Sequence, residues 1–279
     1  MLLALALLGL PGAAMANEAR VLRDIAYGDD PAQRLDVHLP ATTTAGAPVI
    51  FMVHGGAWRL GDKAHEHFVG NKVARWQTRG LVVVSVNYRL AADVTPVAQA
   101  ADVAAALVHA QRSAAAWGAD AERFVLLGHS AGAHLVALLA AAPVPSGVRP
   151  WLGAVALDSG ALDVVEIMSG PHLPLHRRAF GDDPAVWRAA SPWHAVAGKS
   201  APLLAVCSTQ RRISCVQAER FATRLRSFGG RAEVLREDRS HRAINEDLGT
   251  PGRYTDAVEG FMASLDAELA SRLGKVAGR

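Results

Sequence analysis

The sequence has no concentrated block of basic residues, although Lys and Arg outnumber Asp and Glu. Its 279 residues include 29 Lys and Arg and 26 Asp and Glu, a formal net charge of +3, and the two signs are interspersed along the chain. Proteins that bind nucleic acid usually concentrate positive charge on one face or in one segment. The composition therefore gives no indication of a nucleic-acid partner.

Long apolar runs are also scarce. Residues 2–10 are apolar but too few to span a bilayer, and no later run is long and apolar enough to be a transmembrane helix. Residues 14–16, Ala-Met-Ala, form a small-x-small cleavage site, which indicates a secretory signal peptide cut after Ala16. The basic residues that usually precede the apolar run are missing, so a membrane anchor or a misplaced start codon is the alternative. We expect a periplasmic or secreted protein without stable membrane insertion after cleavage, a cytoplasmic location being the alternative.

Cysteine is nearly absent, with one at position 207 and one at position 215. In an exported protein Cys207 and Cys215 would form a disulfide that closes a short loop late in the chain. In a reducing compartment they would be two free thiols.

The sequence has no internal repeat and no linker, so we predict one domain over residues 17–279. Short apolar runs alternate with helical patterns, which indicates an α/β protein whose mostly parallel sheet has helices on both faces. Strands are predicted at residues 49–53, 81–86, 124–127, 152–157, 203–206 and 232–235, and the first three of them are predicted to be buried.

Three regions need separate interpretation. Residues 21–28 and 34–39 are predicted as two edge strands, the second with Asp36 on a half-exposed face. The apolar spacing of residues 258–269 predicts a closing helix. Residues 159–200 contain four prolines and two tryptophans, which predicts an irregular, cap-like insert beside a substrate pocket. Aromatic and histidine candidates for that pocket are Trp58, Trp187, Trp193, His172, His176 and His194.

A G-x-S-x-G pattern at residues 128–132 contains the candidate nucleophile, Ser130. The apolar run 124–127 before it predicts a strand, and the Ala- and Leu-rich residues 133–140 after it predict a helix. A serine between such a strand and helix is held on a sharp, strained turn with its hydroxyl exposed. The alternative is an ordinary serine in a Gly-rich turn.

A serine hydroxyl needs a general base before it is an effective nucleophile. When a G-x-S-x-G turn carries the serine, the histidine comes last in the chain. His241 follows the last predicted strand by a few residues, so it is the candidate base.

An oxyanion hole needs two or more N–H donors directed at the developing negative charge. The amide of Ala131 lies at the start of the predicted helix, where backbone donors are unpaired. The other donors are predicted in the loop after the strand 49–53, at Gly55, Gly56 and Ala57, because small residues let the backbone approach a substrate closely. A simple turn is the alternative for this loop.

Together these motifs resemble the α/β-hydrolase fold, and in particular its carboxylesterase branch, which includes feruloyl-esterase-like proteins and kynurenine formamidase. The residues that carry the resemblance are HGGAW at 54–58, NYRL at 87–90, GHSAGAHL at 128–135 and the pair Ser240-His241. The resemblance covers nearly the whole mature chain. It implies an eight-stranded sheet, a Ser–His–acid triad and neither a cofactor nor a metal.

The sequence departs from this family at the acid. The family usually has an Asp in the loop after the seventh strand, near Ile213 here, and residues 207–215 contain no carboxylate. We predict that Asp158, at the end of the sixth strand, supplies the acid, because a strand end is a rigid platform. The alternatives are Glu237 or Asp238 from the histidine loop, or no acid at all. If Asp158 is not the acid, its carboxylate would only accept hydrogen bonds from nearby backbone N–H groups.

Three functions remain open at this point. The first is hydrolysis of carboxylic esters, with a small-molecule ester as the substrate. The second is an arylformamidase that cleaves N-formylkynurenine. The third is a non-catalytic or weakened homologue that has lost the acid.

Overall fold

The structure is a computed structural model that describes residues 19–42, 45–90 and 94–274. The predicted signal peptide, residues 1–16, lies outside the described residues. One eight-stranded sheet runs through the described chain in the order β1-β2-β4-β3-β5-β6-β7-β8. Its strands are β1 Arg20–Ala26, β2 Arg34–Leu39, β3 Ala47–Val53, β4 Val82–Val86, β5 Ala119–His129, β6 Gly153–Leu157, β7 Leu203–Ser208 and β8 Ala232–Glu237.

Strands β3 to β8 pair in parallel, and only the β1–β2 and β2–β4 pairs are antiparallel. Side chains of a strand alternate between the two faces of its sheet. In β3, for example, Phe51 and Val53 pack into one core, whereas Ile50 and Met52 pack into the other. Both faces of the central strands are therefore buried, which explains their continuous apolar runs.

Helices cover both faces, as the sequence predicted. The helices α2 Pro96–Ser113, α3 Ala131–Ala141 and α8 Arg212–Ser227 contribute to the first core. The second core is covered by α1 Glu66–Gln77, α10 Arg253–Ala263 and α11 Ala267–Leu273. Between β8 and α10 lies the short helix α9 His241–Glu246. Among the described residues, no helix is both long enough and apolar enough to cross a membrane.

The cap-like insert is helical rather than irregular. It consists of the four short helices α4 Val164–Ser169, α5 Pro174–Phe180, α6 Pro184–Ala189 and α7 Pro192–Ala195. Three of them begin with proline, whose fixed φ and missing N–H suit the first helical position. Three of the four prolines in residues 159–200 therefore start helices.

Three other expectations were wrong. Strand β2 is not an edge strand, because it pairs with β1 on one side and β4 on the other. Asp36 on β2 is only 1 % exposed, and it is tolerated there because Nζ of Lys63 lies 2.8 Å from its carboxylate. The closing helix is two helices, since the Asp266 side chain accepts hydrogen bonds from the amides of Glu268 and Leu269 and starts α11.

The turn from β5 into α3 is closely packed against β3. A Cβ on Gly132 would lie 2.1 Å from the carbonyl oxygen of Val53 and 2.6 Å from that of His54. Because no Cβ can approach backbone that closely, only glycine fits between this helix and the strand beside it.

We therefore expect Gly132→Ala to lower the free energy of unfolding by about 3 kcal/mol, since the helix must move away from β3. The matched control is Gly260→Ala, an exposed position of α10 at which a Cβ would meet no atom within 4 Å. That change should raise the free energy of unfolding by about 1 kcal/mol, because alanine favours helix over glycine. Urea denaturation of both variants tests this, and equal effects would contradict the packing argument.

Candidate active site

The residues predicted to carry the chemistry all lie at one edge of the sheet. Parallel strands end at the same edge, and β3, β5, β6 and β8 lead there into the loop 54–58, Ser130, Asp158 and His241 respectively. Residues far apart in the sequence are therefore neighbours in space.

Ser130 lies on the turn between β5 and α3 with φ +56° and ψ −114°, a backbone conformation that L-residues rarely adopt. Its amide donates to the carbonyl oxygen of Leu157 at 2.9 Å, and its own carbonyl accepts from the amide of His134 at 3.1 Å. These bonds hold the strained turn in place. The side chain lines a cavity.

His241 is the first residue of α9, after Ser240, whose hydroxyl accepts from the amide of Ala243 and caps the helix. Its Nε2 lies 2.9 Å from Oγ of Ser130, and its Nδ1 lies 2.6 Å from Oδ2 of Asp158. The structure thus connects the three side chains by two hydrogen bonds. In this arrangement the ring carries its proton on Nδ1 and can accept the serine proton on Nε2.

The Asp158 carboxylate is completely buried. Its Oδ1 accepts from the amide of Ser208 at 2.8 Å and from the hydroxyl of Ser214. Burial by itself would raise the pKa of Asp158, but the hydrogen bonds from His241, Ser214 and Ser208, together with the charge of Arg211, hold that pKa well below its usual range. Asp158 is therefore ionised at neutral pH.

The other candidate acids point elsewhere. The carboxylate of Glu237 contacts Nε of Arg239 at 3.2 Å, and that of Asp238 accepts from Nε2 of Gln210 at 3.1 Å. Ile213, near the position where the family usually has its acid, is half exposed in the cavity wall. Of the carboxylates considered from the sequence, only Asp158 contacts the ring of His241.

Sequence analysis missed Arg211, which also binds Asp158. Its Nη1 donates to Oδ2 of Asp158 at 2.6 Å and to the main-chain oxygen of the same residue at 3.0 Å. The same nitrogen lies 2.7 Å from Nδ1 of His241. Oδ2 of Asp158 therefore contacts both the imidazole of His241 and the guanidinium of Arg211. The only signal in the sequence was a pair of arginines at 211 and 212 in the loop that usually carries the acid.

A disulfide closes this loop. Cys207, in β7, is bonded to Cys215, in α8. Ser208, Arg211 and Ser214 lie between the two cysteines, and all three donate to Asp158. The crosslinked segment is thus the support of the buried acid.

His129 is a second residue that sequence analysis left without a role. Its ring lies 4.5 Å from the ring of His241, and its Nε2 donates to the main-chain oxygen of His241 at 2.9 Å. Burial lowers the pKa of His129 to about 3, with a further contribution from the neighbouring His241. His129 is therefore neutral and fixes the position of the residue that contacts Ser130.

The predicted oxyanion loop lies beside the nucleophile. A Cβ on Gly55 would be 3.0 Å from Cβ of Ser130. Gly55, Gly56 and Ala57 line the same cavity as Ser130, and within the described residues their amides donate no hydrogen bond. Ala131 is the first residue of α3, so its amide has no partner within the helix. These unpaired donors are the groups that an oxyanion requires.

The oxyanion loop is held by buried side chains. Nε1 of Trp58 donates to Nδ1 of His134 at 3.0 Å, and Nε2 of His134 donates to the carbonyl oxygen of Ala190 at 2.7 Å. Burial lowers the pKa of His134 to about 4, so its ring stays neutral and keeps this tautomer. The hydroxyl of Tyr88 donates to the carbonyl oxygen of His54 at 2.9 Å. The loop, α3 and the insert thus form one connected unit.

The cavity has a volume of about 890 Å³ and combines an apolar wall with the polar groups described above. Of the aromatic and histidine candidates for its lining, only Trp58 and His176 lie in the wall. Trp187 instead donates to the carbonyl oxygen of Gly181, and Trp193 packs against the guanidinium of Arg224. Among the described residues no cluster of His, Cys, Asp and Glu could hold a metal ion. The apolar part of the wall is formed by Trp58, Leu60, Phe68, Ala161, Leu173, Leu175 and Ile213.

Comparison with known proteins gives one family match. The family model described as BD-FAE matches residues 35–145, which include β2 to α3 and contain Ser130 and the oxyanion loop.

Three curated relatives have related sequences. Probable isoprenylcysteine alpha-carbonyl methylesterase ICME of Oryza sativa subsp. japonica is 35% identical over 118 residues, 42% of this chain and 28% of that protein. Esterase LipC of Mycobacterium tuberculosis is 31% identical over 224 residues, 74% of this chain and 55% of that protein. Kynurenine formamidase of Salmo salar is 30% identical over 152 residues, 54% of this chain and 49% of that protein. The chain thus spans between about a quarter and about half of the length of these relatives.

Solved structures show the same architecture over nearly the whole chain. Esterase B from Lactobacillus rhamnosis superposes with a TM-score of 0.73 at 18% identity, covering 92% of this chain and 88% of that one. The apo form of Thermogutta terrifontis esterase 2 has a TM-score of 0.68 at 21% identity, covering 98% of this chain and all of that one. Structural matches at such low identity establish the fold alone. The similarity of this chain to esterases comes from the sequence relatives. The chain therefore has the α/β-hydrolase fold, and part of its sequence is similar to esterases.

Proposed function

We propose that this protein is a serine hydrolase that cleaves carboxylic esters through an acyl-enzyme on Ser130. The observation that carries the proposal is the continuous hydrogen-bonded path from Oγ of Ser130 through His241 to the buried carboxylate of Asp158. A serine, a base and an orienting group within hydrogen-bond distance are what nucleophilic catalysis needs.

In the first half of the reaction, Nε2 of His241 removes the hydroxyl proton of Ser130 as Oγ attacks the ester carbonyl. The carbonyl oxygen becomes an oxyanion, which the amides of Gly56, Ala57 and Ala131 stabilise. The tetrahedral intermediate then collapses, and His241 gives its proton to the departing alcohol. The products of this half are the free alcohol and an ester between the acyl group and Ser130.

In the second half, water attacks the acyl-enzyme, and His241 again takes and returns one proton. The carboxylic acid leaves, and Ser130 recovers its hydroxyl. Asp158 stays ionised throughout and stabilises the imidazolium that forms in each half.

The names of the relatives support ester hydrolysis in general. The rice and mycobacterial relatives are named as a methylesterase and an esterase, and the structural neighbours are named as esterases. Because this chain spans only part of the sequence relatives, their substrates do not define its own. The disulfide Cys207–Cys215 supports a location outside the reducing cytoplasm, in agreement with the predicted signal peptide.

Hydrolysis of an aryl formamide is the second candidate function. It is favoured by the similarity to kynurenine formamidase, which covers 54% of this chain. The same attack by Ser130 would then release an amine instead of an alcohol. The predicted export of the protein favours an ester as the substrate, since a formamidase of tryptophan breakdown would act in the cytoplasm.

Ser130→Ala should lower hydrolysis of p-nitrophenyl acetate by at least about 10⁴-fold, because no other group can form the acyl-enzyme. A fluorophosphonate probe should label the unmodified protein and not this variant. Ser227→Ala, an exposed serine whose hydroxyl donates to the carbonyl oxygen of Arg224, is the matched control and should behave as the unmodified protein. Failure of the probe to label the unmodified protein would favour a non-catalytic homologue.

Asp158→Asn should lower kcat by about 10⁴-fold, since an amide cannot stabilise the imidazolium. Because the pKa of Asp158 is lowered in the folded state, its contribution to stability is present above the unfolded pKa and is lost as pH falls through the folded pKa. Between pH 5 and pH 2 the unmodified protein should therefore lose on the order of 2 kcal/mol more stability than Asp158→Asn. Asp238→Asn, which removes an exposed carboxylate, serves as the control for both measurements.

Parallel assays of p-nitrophenyl acetate and N-formylkynurenine separate the two enzymatic candidates. We expect the ester to have the higher kcat/KM, with both activities lost in Ser130→Ala. A higher kcat/KM for N-formylkynurenine would replace the esterase assignment by a formamidase.

A further inference from the structure

Among the described residues, the side chain of Arg211 makes its contacts through only one of its three nitrogens. All of its side-chain hydrogen bonds come from Nη1, which donates to the carboxylate and to the main-chain oxygen of Asp158 and lies beside Nδ1 of His241. Within the described part of the chain, Nε and Nη2 donate to no group, and the side chain is 34% exposed. The guanidinium thus has an unused edge formed by Nε and Nη2.

Two other arginines of the protein bind carboxylates with this edge. Arg75 donates through Nε and Nη2 to both oxygens of Glu259, at 2.9 and 2.8 Å. Arg89 donates through the same two nitrogens to both oxygens of Asp102, at 2.8 and 2.7 Å. Two parallel N–H donors in a fixed plane match the geometry of a carboxylate.

The unused edge belongs to the cavity that contains Ser130. Arg211, Gly160 and Ile213 all line that cavity. A Cβ on Gly160 would lie 3.5 Å from Nη2 of Arg211 and 3.5 Å from Cγ2 of Ile213. Because Gly160 has no side chain, no side-chain atom at this position covers Nη2 of Arg211.

Arg211 offsets the negative charge of the Asp158 carboxylate. Asp158 carries −1 and Arg211 carries +1, so the charges of this pair sum to zero. The same site without Arg211 would carry −1 and would repel a substrate carboxylate. The other arginine in the cavity wall, Arg242, is already paired through Nε with Glu246 at 2.6 Å.

We propose that Arg211 binds a free carboxylate of the substrate, and that the protein prefers esters carrying a second, ionised carboxyl group over neutral esters of the same size. This inference rests on the proposed esterase function. Arg211 would then be a specificity-determining residue. The substrates would be half-esters or aryl esters that carry a carboxylate.

Matched ester pairs test the proposal. Monomethyl succinate and monomethyl adipate, each compared with its dimethyl ester, place the carboxylate on the acyl side. The pair 4-acetoxybenzoate and methyl 4-acetoxybenzoate places it on the leaving group. In at least one pair we expect the unmodified protein to show the higher kcat/KM for the anion.

Arg211→Met should reduce the ratio of kcat/KM between anionic and neutral ester by about tenfold or more in that pair, because a charge-assisted, two-donor contact is lost. A general loss of activity from a displaced Asp158 affects both esters and cancels in the ratio. Arg212→Met, which removes the adjacent exposed arginine outside the cavity wall, should leave the ratio as in the unmodified protein.

A measurement on the unmodified protein covers the case in which Arg211→Met does not fold. Adipate should inhibit hydrolysis of p-nitrophenyl acetate competitively, and adipamide, which is neutral and of the same length, should inhibit far more weakly. Equal inhibition by the two compounds, or an unchanged ratio in Arg211→Met, overturns the proposal. If one of these two overturning results is found and Ser130→Ala is inactive, the proposed carboxylate preference is wrong and the esterase function stands. Full activity of Ser130→Ala would instead refute the esterase function.

Discussion

A single buried carboxylate, that of Asp158, is the interaction on which the rest of the site depends. An isolated carboxylate cannot stay ionised without water, so the surrounding chain has to supply donors for it. Ser208 and Ser214 donate to one oxygen, and His241 and Arg211 share the other. The imidazole can face Ser130 in a defined tautomer only because these contacts keep the carboxylate charged and in place.

The position of this acid follows from the geometry of the sheet. Strands β6 and β7 are parallel neighbours, so the residues that follow them lie beside each other at the same edge. A carboxylate after either strand can therefore reach a histidine that follows β8. In this chain the acid follows β6, and the loop after β7 instead supplies the amide, hydroxyl and guanidinium that hold it. The disulfide Cys207–Cys215 ties the two ends of that supporting loop together.

Local sequence patterns were sufficient for much of the fold. The central strands were predictable because both of their faces are buried, which leaves a continuous apolar run in the sequence. The turn at Ser130 was predictable because two glycines flank a serine between a strand and a helix. Strand β2 was misplaced at the edge, because no local pattern reveals which strands will pair with it. Asp36 was placed on a half-exposed face, because its counter-charge Lys63 comes from a distant loop.

The sequence by itself determined the α/β architecture, the strained serine and the small residues of the oxyanion loop, because each of these depends on residues adjacent in the chain. Only the tertiary structure decided which carboxylate contacts His241, that Arg211 shares it, and that His129 supports the histidine from behind. These contacts join residues between 30 and 112 positions apart. They are decided by strand order and by the paths of loops, neither of which leaves a periodic signal in the sequence.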